Sequence, residues 1–318
     1  MAQIVLGFGA SHGPMQQTPA TEWARLGERD AKDERLDWEA AKREAKKGIE
    51  EELELARQEE LYERCQSGKR DVKAAIDDAN PDVVVVVSNP HRIYPEDNQA
   101  VFAVYAGETL PVPEQIGGPR RNPGVRPADA GPRPTPAKEY PGAPELAAQL
   151  MEGLIGDGFD VAYAKEMRPD TTIEHSFTIM YTIAGRPIPM VPFTLSRYLP
   201  NQATPARCYA LGQALRRAIE SWDTDKRVAI MASGGLSHQI VDEDLDRTVV
   251  DALLEKDVKT LCSLPRDRLN RSPGTPEILN WVTLAGAAEP MEMTLAAYVA
   301  AYRSLAGTGH GIGFAYWK

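Results

Sequence analysis

Short apolar runs separated by more polar stretches mark out the first 233 residues of the chain. Six of these runs are rich in Val and Ile and have the length of β-strands: residues 4–8, 83–88, 100–105, 160–164, 188–193 and 227–233. The runs are continuous rather than alternating, which is typical of strands covered on both faces. The pattern predicts an α/β fold with a central mixed or mostly parallel sheet flanked by helices.

A helical insertion is predicted at residues 22–78. This segment is dense in Glu, Lys, Arg and Ala, and its large apolar residues recur at near-helical spacing, which indicates helices with one apolar stripe. Ser67-Gly68 is a candidate helix stop, and Pro81 is expected to end the last helix before the most apolar strand. We expect these helices to pack on the sheet; a dimer interface and a roof over a site are the alternatives.

Residues 111–144 form a Pro- and Gly-rich segment in which we expect a long loop without regular structure. It carries ten of the 25 prolines in the chain. Such a loop is a surface linker or a lid over a substrate. An arginine from it can bind a substrate carboxylate through two hydrogen bonds; the candidates are Arg120, Arg121, Arg126 and Arg133.

The last third of the chain is predicted to be mostly helical, around residues 205–222, 243–258, 276–287 and 291–305. It ends in a glycine-rich, aromatic tail, residues 307–317, whose aromatic rings are candidates to wall a ring-shaped substrate. His310 lies among the glycines of this tail, so we interpret it as a loop residue rather than a ligand.

Composition and charge narrow the classes of function. The net charge of −10 and the pI of about 5.2 argue against the basic surface that nucleic acids or anionic membranes require. No apolar run approaches the roughly 20 residues of a membrane span, and the N-terminus lacks the features of a signal peptide, so a cytoplasmic protein is expected. The three cysteines are widely spaced, which predicts neither disulfides nor a thiolate metal site.

Three of only five histidines follow predicted strands, where ligands often gather. His12 comes after residues 4–8, His91 after 83–88 and His238 after 227–233. Glu277 lies in the first turn of the predicted helix 276–287. Two imidazoles and one carboxylate form the facial site of non-heme Fe(II) enzymes. Singly, each residue also has a structural explanation, a hydrogen-bonded core histidine or a glutamate that stabilises a helix N-terminus.

Two other classes use similar residues. Catalytic zinc sites also combine His, His and Glu with an open position, so a zinc hydrolase is one alternative, although the chain lacks the H-E-x-x-H spacing. A metal-binding or interaction protein without catalytic activity is the other alternative.

Five motifs in chain order resemble those of the class III extradiol dioxygenases, the family of the catalytic subunit of protocatechuate 4,5-dioxygenase. They are Ser11-His12-Gly13-Pro14, Asn89-Pro90-His91, Glu174-His175-Ser176-Phe177, Gly234-Gly235-Leu236-Ser237-His238 and Pro276-Glu277-Ile278. The resemblance extends from residue 2 to about 290, and the Gly-Gly-Leu-Ser-His motif is its most specific element. Single-chain gallate and 3-O-methylgallate dioxygenases are the most similar branch.

The resemblance implies one catalytic domain over residues 1–318 and a role for each of the five motifs. It implies that His12, His91 and Glu277 bind Fe(II), that His238 is the acid/base group, and that His175 faces the bound substrate and oxygen. A histidine of ordinary pKa suits the second deprotonation of a catechol, and His175 suits stabilisation of an anionic oxygen.

The implied partners are small molecules and a second copy of the chain. The substrates are O2 and a catechol or gallate-type aromatic compound, with 3-O-methylgallate or a related carboxylated catechol favoured. A homo-oligomer, most simply a dimer, is expected, and neither nucleic acid nor a membrane is expected as a partner. We expect this chain to lack the small helical partner subunit of some relatives, so that either its own helices and tail close the site or a separate protein does.

Overall fold

A computed structural model describes residues 1–34, 36–90, 99–114, 116, 137–167 and 171–318, with the backbone only at residue 137. The strands are β1 Gln3–Ala10, β2 Val83–Ser88, β3 Phe102–Tyr105, β4 Thr109–Pro113, β5 Ala137–Pro141, β6 Ala162–Ala164, β7 Met190–Leu195, β8 Arg227–Ser233, β9 His238–Ile240, β10 Met293–Tyr302 and β11 Thr308–Trp317. The helices are α1 Trp23–Asp30, α2 Trp38–Glu44, α3 Ile49–Glu52, α4 Leu55–Ala79, α5 Pro144–Gly156, α6 His175–Ala184, α7 Pro205–Glu220, α8 Glu243–Leu254, α9 Val258–Cys262, α10 Arg266–Leu269 and α11 Ile278–Ala287. All six predicted strands are confirmed.

The main sheet has the strand order β10-β11-β1-β8-β2-β7-β3-β6, and β9 pairs with β11. Strands β1, β8, β2 and β7 are parallel and form its centre. Strands β10, β11 and β9 add antiparallel pairs on one side, and β3 runs antiparallel to β7. These pairings confirm an α/β fold with a mixed sheet, in which parallel pairing occurs at the centre and between β3 and β6.

Burial on both faces of the sheet explains the run of five valines in β2. Val83, Val85 and Val87 pack in the core on one face of the sheet, with residues of α5, α7 and α11. Val84 and Val86 point to the other face and pack with residues of α4 and α6. Because helices cover both faces, alternate residues of the strand are equally buried, and the run cannot alternate with polar residues.

Helix α4 is longer than predicted. It passes through Ser67-Gly68 without interruption and ends at Ala79, so the predicted stop at Gly68 is wrong, whereas the stop before Pro81 is confirmed. Gly68 has a packing role instead. A Cβ atom at this position would lie 2.6 Å from the Cβ of Ala297, which shows that the glycine lets the helix approach β10 closely. The predicted packing of the helical insertion on the sheet is confirmed for α4.

The predicted helix at 291–305 is wrong. Residues Met293–Tyr302 form β10, which pairs along its length with β11, the strand that the glycine-rich tail forms. The glycines are needed for close packing. A Cβ at Gly309 would lie 1.9 Å from the carbonyl oxygen of Ala301, so only glycine fits there. Long-range pairing has therefore overridden the helical composition of the segment.

Both ends of the Pro-rich segment are regular, contrary to the prediction. Strand β4 extends to Pro113, and β5 pairs with it in a separate two-stranded sheet. The predicted lid and its four arginines lie outside the described residues. Among the helices that the structure describes, none is both long enough and apolar enough to cross a membrane.

Candidate active site

The carboxyl ends of the four central parallel strands meet at one edge of the sheet. His12 lies two residues after β1, His238 lies at the end of the loop after β8, and Arg197 lies two residues after β7. His12 and His238 therefore lie at the same edge of the sheet, as the prediction from the strand ends required. Ligands of open α/β sheets bind at such edges. His91 follows β2 and lies outside the described residues.

Two buried asparagines join these strand ends. Asn280 of α11 donates from Nδ2 to the side-chain oxygen of Asn89 at 2.8 Å and to the carbonyl oxygen of Ser233 at 2.9 Å. Asn89, after β2, donates to the carbonyl oxygen of Leu195 at 2.8 Å. Because both amides are fully buried, these bonds hold the ends of β2, β7 and β8 in a defined arrangement.

Glu277 is the centre of the cluster. It is 1% exposed and ends a short 3-10 turn, Thr275–Glu277, that leads into α11. Its Oε2 atom lies 3.4 Å from Nε2 of His12 and 3.3 Å from Nε2 of His238, and it accepts a hydrogen bond from the Gly235 N–H at 3.1 Å. Burial alone would raise the pKa of Glu277, but the two imidazoles hold it well below the usual value. The carboxylate is therefore charged.

The tautomer of His12 follows from its hydrogen bonds. The Ser233 hydroxyl donates to the carbonyl oxygen of Ser176, so its oxygen accepts from His12 Nδ1, which lies 3.1 Å away. In the neutral ring Nδ1 therefore carries the proton, and Nε2, the atom that faces Glu277, has the lone pair that can bind a metal ion. This is the arrangement in which a second hydrogen bond orients a metal-binding imidazole.

His238 has the same tautomer for a different reason. Its Nδ1 atom lies 2.9 Å from the carbonyl oxygen of Leu236, which can only accept, so Nδ1 donates. Nε2 is then the position at which the neutral ring accepts a proton. The ring packs closely against Gly274, where a Cβ atom would lie 2.0 Å from Cδ2 of His238. Glycine at this position is thus required for the placement of the ring.

His175 also lies in the cluster, as predicted. It begins α6, and its ring meets that of His12 edge to face, with centroids 5.0 Å apart. The structure therefore brings four of the five predicted residues together, and the fifth, His91, is the one outside the described residues.

Sequence reasoning missed Arg197. Its Nη1 atom lies 3.4 Å from Oε1 of Glu277, and Nη2 donates to the hydroxyl of Tyr198 at 2.8 Å. It is 12% exposed and brings a cation to a site that otherwise consists of imidazoles and one carboxylate. A charged residue four positions after the predicted strand 188–193 was the available signal.

His310 was assigned wrongly. It lies in β11 rather than in a loop, is 5% exposed, and stacks on His238 with ring centroids 4.9 Å apart and an interplanar angle of 25°. Burial, the charge of Arg303 and the neighbouring His238 hold the pKa of His310 well below its usual value, so its ring is neutral.

The chemistry of the donor atoms fits a divalent metal ion. With the tautomers above, two Nε2 lone pairs and a carboxylate oxygen face one another within 3.4 Å, an arrangement that needs a cation or a proton between them. Two ligand atoms that each lie about 2.1 Å from one ion can be about 3.0 Å apart, which is close to the 3.4 Å between His12 Nε2 and Glu277 Oε2. Within the described ranges no three His, Cys, Asp or Glu side chains form a complete ligand set, and the predicted third ligand, His91, falls outside them.

Comparisons with known proteins identify the family of the chain. Residues 51–313 match the sequence profile of the family described as the catalytic LigB subunit of aromatic ring-opening dioxygenase, which covers most of the chain but not His12. A gallate dioxygenase from Pseudomonas putida is 35% identical over 118 residues, which are 36% of this chain and 34% of that protein. The chain thus matches only about a third of that relative's length.

Among solved structures, an uncharacterized protein from Escherichia coli K12 is similar, with 18% identity and a TM-score of 0.47 over 78% of this chain and 91% of that one.

Proposed function

Because the chain belongs to the LigB family of aromatic ring-opening dioxygenases, we propose that it is an Fe(II)-dependent extradiol dioxygenase that opens the ring of a gallate-type catechol with O2. The observation that carries the proposal is the convergence of His12 and His238 on the buried, charged carboxylate of Glu277. The similarity to a gallate dioxygenase favours gallate or a methoxy derivative such as 3-O-methylgallate as substrate.

In this proposal His12, Glu277 and His91 hold the metal ion. When bound, Fe(II) supplies open coordination positions and the electron transfer that lets a catechol react with O2. The serine hydroxyl behind His12 orients its ring, and the Gly235 N–H and Arg197 orient the two oxygens of Glu277. The chain therefore presents ligand atoms in fixed positions.

His238 is the proposed acid/base group. Its Nδ1 atom is engaged with a backbone carbonyl, so proton exchange with the substrate takes place at Nε2. The neutral ring first accepts a proton from a catechol hydroxyl and later returns it when the O–O bond breaks. His175, edge to face with His12, is placed to donate a hydrogen bond to an anionic oxygen of the bound reactants.

Oxygen uptake tests the proposed function. Protein purified without oxygen and reconstituted with Fe(II) is offered gallate, 3-O-methylgallate, protocatechuate and unsubstituted catechol. We expect one O2 consumed per substrate and a ring-opened product, with no activity after reconstitution with zinc. Hydrolytic activity of the zinc-loaded protein, together with no oxygen uptake by the iron-loaded protein, would favour the hydrolase class. Failure of all four compounds with iron bound would contradict a gallate-type substrate and would favour another substrate, a missing partner subunit or a non-oxidative metal site.

Metal content separates the proposed roles of the residues. His12→Ala and Glu277→Ala are expected to lose iron together with activity, because each removes a ligand. His238→Phe is expected to keep iron and bind catechol but to turn over at least 100-fold more slowly. Stoichiometric iron in Glu277→Ala, or near-normal turnover in His238→Phe, would contradict the corresponding assignment.

A single catalytic domain, a homodimer and a cytoplasmic location remain predictions. Light scattering on the purified chain measures the mass of the assembly, for which we expect twice the 34.9 kDa of one chain.

A further inference from the structure

A series of buried side chains in contact with one another connects α1 with His238, the proposed acid/base group. Asp30 of α1 accepts two hydrogen bonds from the guanidinium of Arg303, at 2.6 and 3.1 Å. Nη1 of Arg303 lies 3.2 Å from Nδ1 of His310, and His310 stacks on His238. The side chains of Arg303 and Asp30 are 1% and 2% exposed, so the ion pair is shielded from water.

The contact between Arg303 and His310 determines the tautomer of His310. A guanidinium has donors but no acceptor, so Nδ1 of His310 accepts from Arg303 and cannot carry a proton. Because the ring is neutral, its single proton is on Nε2. His310 is therefore the opposite tautomer from His238, whose Nδ1 donates. At Nε2, the neutral ring of His238 therefore accepts a hydrogen bond, whereas the ring of His310 donates one.

The Nε2–H group of His310 lies beside the loop that carries His12. A Cβ atom at Gly13 would lie 2.8 Å from Nε2 of His310, so the absence of a side chain there leaves the donor edge uncovered. Within the part of the chain that the structure describes, no acceptor is bonded to this donor. His310 is only 5% exposed, so this N–H group has little access to water, and a hydrogen-bond acceptor in the site would stabilise it.

We propose that His310 donates its Nε2–H to an oxygen of the bound aromatic substrate, and that Arg303 and Asp30 are positioning residues that hold its tautomer. The proposal rests on the proposed function, since the acceptor is the hydroxyl, phenolate or carboxylate oxygen of a hydroxylated benzoate. The stacked rings then divide the work at the substrate, with His238 as proton acceptor and His310 as hydrogen-bond donor.

Anaerobic binding of gallate to the Fe(II)-loaded protein tests the donor. His310→Phe keeps a ring that can stack on His238 but removes the N–H. We expect it to retain iron and to bind gallate about tenfold to a hundredfold more weakly in calorimetric titrations, as for the loss of a hydrogen bond to a charged oxygen. The matched control is Tyr302→Phe on the neighbouring strand, which loses a partly buried hydrogen bond to Glu243, a residue outside the cluster around Glu277, and should bind gallate normally.

A second measurement needs no variant and applies even if His310→Phe does not fold. With only five histidines, ¹⁵N-labelled imidazoles of the metal-free protein are resolvable by NMR. We expect His310 to show a bare Nδ1 and a protonated Nε2, and the Nε2 resonance to shift when gallate binds to the protein loaded with a diamagnetic divalent ion.

The possible outcomes are separable. Equal gallate affinity of His310→Phe and wild type, or a protonated Nδ1 on His310, would overturn this inference and leave the proposed function intact. If the wild-type protein loaded with Fe(II) binds no hydroxylated benzoate, the proposed function fails and this inference fails with it.

Discussion

The stability of the protein should fall as pH rises through the acidic range because of one buried carboxyl, Asp246. It is completely buried and accepts hydrogen bonds from the Ser237 N–H at 2.7 Å, the Ser237 hydroxyl at 2.8 Å and the Tyr298 hydroxyl at 2.9 Å. Burial raises its pKa to about 6 in spite of these donors, and the nearby charge of Asp242 adds to the rise. Because Ser237 precedes His238, this carboxyl also anchors the loop that carries His238.

The sign and size of the effect follow from the pKa difference. The folded protein retains a proton on Asp246 that the unfolded chain releases, so raising the pH from about 4 to about 6 favours unfolding. A difference of about two units corresponds to about 3 kcal/mol in total, of which about 2 kcal/mol falls between pH 4.5 and 7.5. Above pH 7 the contribution no longer changes, because the carboxyl is ionised in both states.

Urea unfolding of the metal-free protein measures this effect. The variant Asp246→Asn keeps an acceptor for the Ser237 N–H and does not titrate. We expect the free energy of unfolding of the wild type, relative to the variant, to decrease by about 2 kcal/mol from pH 4.5 to 7.5. Removing the metal excludes the pH dependence of metal binding. A relative stability that is flat, or that increases with pH, would refute the argument that burial outweighs the three hydrogen bonds.

Two further substitutions test the geometry of the site. Ser233→Ala removes the acceptor for His12 Nδ1, and we expect the affinity for Fe(II), measured by competition with a chelator, to fall about 10- to 100-fold; unchanged affinity would show that the hydroxyl does not orient the imidazole. Gly274→Ala forces a methyl group into the ring of His238, and we expect kcat to fall about 100-fold with iron content unchanged. Its control is Gly156→Ala, where the added Cβ meets no atom within 4 Å, so equal losses of kcat in both variants would contradict this explanation.

The sequence by itself determined the centre of the fold and the main members of the site. Strands β1, β2 and β8 are mostly apolar because helices bury both of their faces. A continuous apolar run can be recognised in the sequence of each strand without knowledge of its neighbours. His12 and His238 were identifiable because the carboxyl ends of parallel strands meet at one edge. The position of Glu277 in the first turn of a predicted helix made it a candidate, the family resemblance added His175, and the family itself is confirmed by the match over residues 51–313.

Only the tertiary structure determines that Met293–Tyr302 and Thr308–Trp317 form the paired strands β10 and β11. Met293–Tyr302 contains four alanines and no strong β pattern, and it becomes a strand because a glycine-rich partner further along the chain packs against it. Local composition cannot specify such a pairing, because β-structure depends on neighbours distant in sequence. For the same reason the position of His310 in a buried strand could not be read from the glycines around it.

The protonation pattern of the site was likewise decided by tertiary contacts. His12 and His238 carry a proton on Nδ1 because this atom meets a hydroxyl and a carbonyl, respectively, whereas His310 has the opposite tautomer because its Nδ1 meets a guanidinium. The hydroxyl and the guanidinium come from other parts of the sheet, and the carbonyl of Leu236 reaches His238 only through the folding of its loop. Residue identity could therefore indicate which histidines matter, whereas the folded chain alone determines which nitrogen accepts and which donates.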